Sequence, residues 1–134
     1  MRAYLIWIGC ANAMGFFLLL GAMSDSFADG LLRRWTKIIP DDTPFQHSAY
    51  SRVWLWWAVI GTGFYAAINL VALDWPWEYA RWVVYGNIYA YGCFEVLAIA
   101  ATINRKRWGV GIYTTHVLWI AQGGWGVVTA LRGP

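Results

Sequence analysis

The chain has 134 residues and a formal net charge of +3, and 60% of its residues are hydrophobic while only 13% are charged. A soluble domain carries roughly 25% charged residues, so this composition excludes an ordinary soluble domain. The basic residues flank hydrophobic segments and form no continuous patch, which argues against binding to nucleic acid despite the positive charge.

Four apolar stretches are each long enough to cross about 30 Å of hydrocarbon as a helix. They cover approximately residues 3–23, 53–73, 82–102 and 109–131. The remaining segments are too short for a separate soluble domain. We therefore expect an all-α fold in which residues 1–134 form one domain, an integral membrane bundle of four transmembrane helices.

The first span contains one isolated amide, Asn12, among small residues. Gly9 and Ala13 are four residues apart, as are Ala11 and Gly15, and such pairs allow two helices to approach closely. Asn12 is expected to make a hydrogen bond between helices. The span could instead be a signal peptide, but its apolar run exceeds the usual core of about 7–15 residues, which favours a retained helix.

The segment 24–50 is too polar to cross a membrane, yet it contains apolar residues at helical spacing. These are Phe27, Leu31, Trp35, Ile38 and Ile39. Arg33, Arg34 and Lys37 lie largely off that stripe. The pattern predicts a short amphipathic helix in the membrane surface, ended by the turn residues 40–44. The alternative is an irregular loop.

Several of the 11 tryptophans lie at the ends of the predicted spans. Indole side chains settle at the level of the lipid headgroups, so these residues are expected to be membrane-interface anchors. The predicted anchors are Trp54, Trp56, Trp57, Trp75, Trp77, Trp82 and Trp108.

The distribution of basic residues predicts the orientation of the chain in the membrane. Arg2, Arg81 and Arg132 are in the termini and the second loop, whereas the first and third loops carry the other seven lysines and arginines. Because loops rich in Lys and Arg stay on the cytoplasmic side, we expect loops 24–52 and 103–108 in the cytoplasm and both termini outside.

The third span contains a carboxyl group, Glu95, which costs about 2.5–3.5 kcal/mol near the centre of a bilayer. Asn87, Tyr91 and Glu95 follow one another at intervals of four residues, so they share one helix face. A polar face on an otherwise apolar helix is expected to point into a bundle.

The fourth span contains His116 and, further along, Gln122. Glu95 and His116 could form a buried hydrogen-bonded pair. Three hypotheses then compete for the polar residues of the spans. They could stabilise the bundle, His116 could be the axial ligand of a haem or chlorophyll, or Glu95 and His116 could catalyse acid–base chemistry on a lipid. We expect no cofactor under the first hypothesis, and no phosphate loop, nucleophile elbow or metal-ligand cluster supports an enzyme.

Two short motifs resemble the scaffold family of ergosterol biosynthesis, whose small four-span members tether the enzymes of sterol C-4 demethylation. The family has an Ala-Arg-Thr-Phe-x-x-Trp pattern before its second span, where this chain has Arg52 and Trp57. In its third span the family has an aromatic residue shortly before a Ser-Glu pair, where this chain has Tyr91 and Glu95. The Thr-Phe pair is absent here, and Phe94 replaces the serine.

The resemblance implies a non-enzymatic organiser of lipid-modifying or sterol-modifying enzymes, with Arg52 at the membrane surface and Glu95 inside. The expected partners are other integral membrane proteins and membrane lipids. The main alternative is a small subunit of a photosynthetic or respiratory membrane complex that contacts pigment, haem or quinone through His116. An intramembrane lipid-modifying enzyme is the third hypothesis.

Overall fold

The computed structural model describes residues 1–35, 46–103 and 109–133, and these contain helices and no strand. Five α-helices follow one another along the chain, with a π-helical turn at Leu31–Trp35 and a 3₁₀ turn at Ala72–Asp74. The α-helices are α1 (Arg2–Gly21), α2 (Asp25–Gly30), α3 (Ala49–Val71), α4 (Trp77–Thr102) and α5 (Val110–Arg132).

Three of these helices are long and apolar enough to cross a membrane, as far as the described part of the chain was searched. They are α1, the stretch Ala49–Asp74 that contains α3, and α4 over Trp77–Ala100. α5 has 23 residues, as many as α3, but it includes Gly, Thr, His and Gln and is not among the three. The all-helical class is confirmed, whereas the fourth span and the interfacial position of the first loop stay predictions.

The long helices pack most extensively as two pairs, α1 with α3 and α4 with α5. Two glycines bring α1 and α3 together. A Cβ atom on Gly9 would lie 2.8 Å from the Leu70 side chain, and one on Gly63 would lie 3.1 Å from the Phe16 ring. Gly15 has open space around it instead. Of the small residues predicted in the first span, Gly9 therefore makes the expected close approach, and Gly63 of α3 makes a second one.

Different segments of the chain lie at the two ends of the bundle. At one end, called here the terminus end, Arg2 forms an ion pair with Asp74 at 3.4 Å. At the other, called the loop end, the indole of Trp35 lies against Gly111 in the first turn of α5. Consecutive long helices are therefore antiparallel.

The largest buried apolar side chains lie toward the terminus end. The core cluster combines Tyr4, Leu5 and Ile8 of α1 with Ala80 and Val84 of α4. Ala72 and Tyr91 complete it. Large apolar residues of the loop-end half are mostly exposed, as illustrated by Phe17 at 68% and Leu97 at 64%. Apolar side chains that face outward are expected where lipid replaces water as the solvent.

Two helices begin earlier than the predicted spans. α3 begins at Ala49 because the Ser48 hydroxyl accepts a hydrogen bond from the Ser51 backbone N–H at 3.0 Å and so caps the helix. α4 begins at Trp77, directly after Pro76, whose carbonyl accepts from Tyr79 and Ala80. Hydropathy does not detect these first turns, because they contain polar residues such as Ser51, Arg52 and Glu78.

The predicted amphipathic helix of the first loop is described only in part. Residues 25–35 are helical, as α2 and the π-helical turn, and they include Phe27, Leu31 and Trp35. Ile38, Ile39 and the turn 40–44 lie outside the described residues, as do Trp108 and residues 104–107 of the third loop. Trp35 contacts α5, so its side chain is not directed only toward lipid.

Substitution of Gly126 by Leu is expected to destabilise the bundle. A Cβ atom there would lie 2.7 Å from the Tyr4 hydroxyl and 2.8 Å from Ile88, so the helices would have to separate. Overpacking of this kind costs about 1–3 kcal/mol. Gly124→Leu is the matched control, because a Cβ atom at Gly124 meets nothing within 4 Å. Thermal unfolding in detergent should show a lower midpoint for Gly126→Leu alone, and equal midpoints would contradict this packing.

Candidate functional site

The polar stripe of α4 consists of Asn87, Tyr91 and Glu95, and each of them contacts a different long helix. Asn87 pairs with α3, Tyr91 with α1 and Glu95 with α5. Since a four-residue interval keeps side chains on one helix face, the stripe faces the inside of the bundle, as the sequence predicted. The three contacts make α4 the helix that joins the others.

Asn87 and Asn69 of α3 form a reciprocal pair of amide hydrogen bonds. The Asn87 Nδ2 donates to Asn69 Oδ1 at 2.7 Å, and the Asn69 Nδ2 donates back at 3.2 Å. The Asn69 amide also donates to the Tyr65 carbonyl at 2.8 Å. Both side chains are fully buried. In an apolar interior such bonded amides cost little, whereas a single unpaired amide is expensive.

Tyr91 links α4 to α1 through Asn12. The Asn12 Nδ2 donates to the Tyr91 hydroxyl at 3.0 Å and to the Ile8 carbonyl at 2.9 Å. Tyr91 is buried, and its ring also belongs to the apolar core cluster. The interhelical hydrogen bond expected of Asn12 is therefore present.

Glu95 forms a short hydrogen bond with His116 on α5. This is the pair that the polar residues of the third and fourth spans suggest. The Glu95 Oε1 lies 2.6 Å from the His116 Nδ1. The side chains are 17% and 12% exposed, respectively. The Glu95 Oε2 is also buried and accepts no hydrogen bond within residues 1–35, 46–103 and 109–133. The carboxyl group thus points at a neighbouring helix and away from the outer surface of the bundle.

The Glu95–His116 pair lies nearer to the loop end than to the terminus end. Glu95 is about 20 Å along α4 from Trp82, and His116 is about 9 Å from the start of α5, at 1.5 Å per residue. Glu95 is also about 10 Å from the end of α4 at Thr102, so the pair lies roughly 10 Å from the loop-end terminus of each helix. The two distances agree although they come from different helices.

Gln122, the remaining polar residue predicted in the fourth span, is buried on α5. Six residues separate it from His116, so it lies on another level of the bundle. The structure brings the α4 stripe together with Asn12 and His116, and it places Gln122 apart from the Glu95–His116 pair.

Arg52 belongs to a separate polar cluster at the loop end. Its Nη2 lies 3.3 Å from Asp25 Oδ1 at the start of α2. The same carboxylate accepts the His47 backbone N–H at 3.2 Å, and the His47 Nε2 lies 2.8 Å from the Ala22 carbonyl. Arg52 therefore connects the first turn of α3 to α2. The cluster as a whole joins the end of α1, the start of α2 and the start of α3.

The predicted tryptophan anchors that the structure describes are mostly exposed. Trp54, Trp56, Trp57 and Trp82 present half or more of their surface, and Trp75 presents 36%. Trp77 is partly buried against the core cluster. The Arg81 guanidinium stacks over the Trp82 ring at 5.5 Å. The exposure of these indoles agrees with a position among lipid headgroups, and it also leaves them accessible to a partner protein.

The chemistry available to this site is limited. Among the described residues, no group of three His, Cys, Asp or Glu side chains could hold a metal ion. His116 uses Nδ1 for Glu95, and its Nε2 is buried. Cys10 and Cys93 are free thiols in α1 and α4. The arrangement is best suited to fixing helices against one another.

Three members of the site, Asn69, Asp25 and His47, are not predicted by the sequence analysis. Asn69 is an amide near the end of the second span, and its partner could not be inferred because the register between α3 and α4 is a property of the fold. Asp25 and His47 belong to the polar first loop, and the structure shows that they form the cluster that receives Arg52. An isolated amide in an apolar span was the available signal for Asn69.

These observations define the class of the protein as an all-helical bundle with three helices able to cross a membrane, held together by polar contacts from α4. Comparison with known proteins adds no narrower assignment. No family model, no curated protein sequence and no solved structure matches the chain.

The Asn69–Asn87 pair should show strong coupling in a double-mutant cycle. Asn87→Leu leaves the Asn69 amide without its partner, and we expect a loss of about 0.6–1.7 kcal/mol, the usual range for hydrogen bonds between membrane helices. Asn69→Leu should cost a similar amount. The double variant should lose less than the sum, because it leaves no unpaired amide. Unfolding in mixed micelles measures all three, and additive losses would show that the two amides do not pair.

Proposed function

We propose that the protein is a non-enzymatic accessory or scaffold subunit that associates with other integral membrane proteins. The polar groups of α4 support this proposal because they are used within the bundle. Asn87, Tyr91 and Glu95 each bond to a neighbouring helix of the same chain. Because these three side chains bond within the bundle, its outer surface stays available for partners.

The outer surface supports association more specifically, and it is the observation on which the proposal rests. Gly92 of α4 and Gly124 of α5 are exposed, and a Cβ atom at either position would meet nothing within 4 Å. Apolar side chains surround them, such as Val96 and Ile120, which are 66% and 62% exposed. Glycines on an apolar helix face let a second helix approach closely in lipid.

The orientation in the membrane is part of the same proposal. We place α5 in the membrane as the fourth span, with loops 24–52 and 103–108 in the cytoplasm and both termini outside. The spacing of Trp57 and Trp75 supports this position. About 21 Å of α-helix and about 6 Å of 3₁₀ turn separate Trp57 from Asp74, the residue before Trp75, and their sum is close to the thickness of a hydrocarbon layer. Residues 25–35 would then lie at the cytoplasmic surface, with the exposed Arg34 near lipid phosphates.

The resemblance to the ergosterol-biosynthesis scaffold family extends the proposal to enzymes that modify lipids or sterols. Of the residues on which the resemblance depends, Arg52 and Glu95 have partners within the chain. Trp57 is 66% exposed and has its indole available for an enzyme or a lipid. On this proposal Arg52 and Glu95 fix the fold, and the outer aromatic and glycine positions meet the partners.

Co-purification tests the proposal directly. The tagged protein in mild detergent should bring down a defined set of membrane proteins, and reciprocal tagging of those proteins should recover it. Gly92→Leu should reduce the recovery several-fold without a lower unfolding midpoint, because the new side chain obstructs a partner and nothing inside the bundle. Gly30→Leu in α2, which is also sterically open, is the control. Recovery as a lone monomer would refute the proposal. Equal recovery for Gly92→Leu would show that partners do not bind the surface around Gly92.

A haem or chlorophyll ligand at His116 is the second candidate function. One observation favours it, since histidine ligands commonly bond a carboxylate through their second ring nitrogen, as His116 does with Glu95. The buried Nε2 counts against it, because a macrocycle would have to displace the residues that cover this atom. An absorption band that disappears in His116→Ala would support a pigment.

A further inference from the structure

The segment Asp25–Trp35, called here the strap, consists of α2 and the π-helical turn and lies at the loop end. It contacts both pairs of long helices. Its first residue reaches the α1/α3 pair, and its last residue reaches α5 of the α4/α5 pair. The apolar core cluster, in contrast, lies toward the terminus end and includes no residue of the strap.

The base of the strap is fixed by hydrogen bonds and charge. Asp25 accepts from the Arg52 guanidinium at 3.3 Å and from the His47 backbone N–H at 3.2 Å. The His47 side chain is 8% exposed, and its Nε2 lies 2.8 Å from the Ala22 carbonyl at the end of α1. These contacts tie the first turn of α2 to both α1 and α3.

The middle of the strap is held by an ion pair. Arg33 of the π-helical turn lies 2.6 Å from Asp29 of α2, so the pair spans the junction between the two helical segments. The hydrogen bond from Arg33 lowers the pKa of the Asp29 carboxyl below its ordinary value. The contribution of this pair is therefore present at neutral pH and is lost only on acidification through the lowered pKa.

The tip of the strap rests on a glycine. The Trp35 ring lies so close to Gly111 that a Cβ atom there would be 2.8 Å from the ring carbon Cδ1. Gly111 is buried, whereas Trp35 remains 46% exposed. The indole thus packs against the backbone of α5, and any side chain at position 111 would displace it.

We propose that the strap fastens the two helix pairs together at the loop end and that it opens by release of Trp35 from Gly111. The base is held by polar contacts of Asp25 with Arg52 and His47. The Trp35 ring, in contrast, packs on the backbone of Gly111 and is still 46% exposed, so the tip is the weaker attachment. Release would let the loop-end halves of the pairs separate, while the core cluster keeps the terminus ends joined. The inference is independent of the proposed scaffold role.

Disulfide cross-linking in lipid bilayers tests the closed position. The variant Trp35→Cys/Gly111→Cys, with Cys10 and Cys93 replaced by Ala, should form an intramolecular disulfide with mild oxidant, because adjacent Cβ atoms satisfy the geometry of the bond. Trp35→Cys/Gly124→Cys is the control and should not cross-link. Failure of the first pair in a folded protein would overturn the proposed contact.

Limited trypsin digestion tests release. Cleavage after Arg33 or Arg34 should be several-fold slower in the oxidised double-cysteine variant than in its reduced form. In the otherwise unmodified chain, Gly111→Leu should be cleaved several-fold faster than the wild type, and Gly124→Leu should be cleaved at the wild-type rate. Equal cleavage of the oxidised and reduced forms would show that the strap does not open between positions 35 and 111, and this comparison holds even if Gly111→Leu fails to fold.

Discussion

A polar side chain buried among apolar helices has no water to bond, and this constraint determines how the bundle is assembled. Glu95 would be costly if it faced acyl chains, and the amides of Asn87 and Asn69 would each leave donors unsatisfied. The structure resolves the problem within the chain, because α4 directs these groups inward and finds a partner on each of the other long helices. Polar contacts therefore specify which helices meet and in what register.

Apolar packing and polar pairing act at different levels of the bundle. Tyr4, Leu5 and Val84 form the tightest part of the core toward the terminus end. The Glu95–His116 pair lies toward the loop end, where the large apolar residues are mostly exposed. The loop end thus depends more on specific contacts, namely this pair and the attachments of Asp25 and Trp35. The proposed release of Trp35 would let the loop end adjust while the terminus end stays packed.

Much of the fold follows from the sequence, because composition and helical periodicity are local properties. The apolar stretches predicted the long helices to within a few residues, and the four-residue spacing predicted the shared face of Asn87, Tyr91 and Glu95. The pairing of Glu95 with His116 was suggested because few polar groups are available inside the spans. The partner of Asn87 and the packing of Trp35 against Gly111 could not be predicted, since both depend on how helices distant in sequence are aligned. The orientation of the bundle and its partners rest on arguments from the sequence.

The most direct measurement is the distance between the Glu95 carboxyl carbon and the His116 Nδ1 in lipid bilayers. The chain contains two histidines and two glutamates, so His47→Asn and Glu78→Gln leave one labelled residue of each type. Solid-state NMR with ¹³C-labelled glutamate and ¹⁵N-labelled histidine should show strong dipolar coupling between the two atoms. Absence of that coupling in the folded protein would mean that the carboxyl group faces lipid or water, and the account of the bundle given above would be wrong.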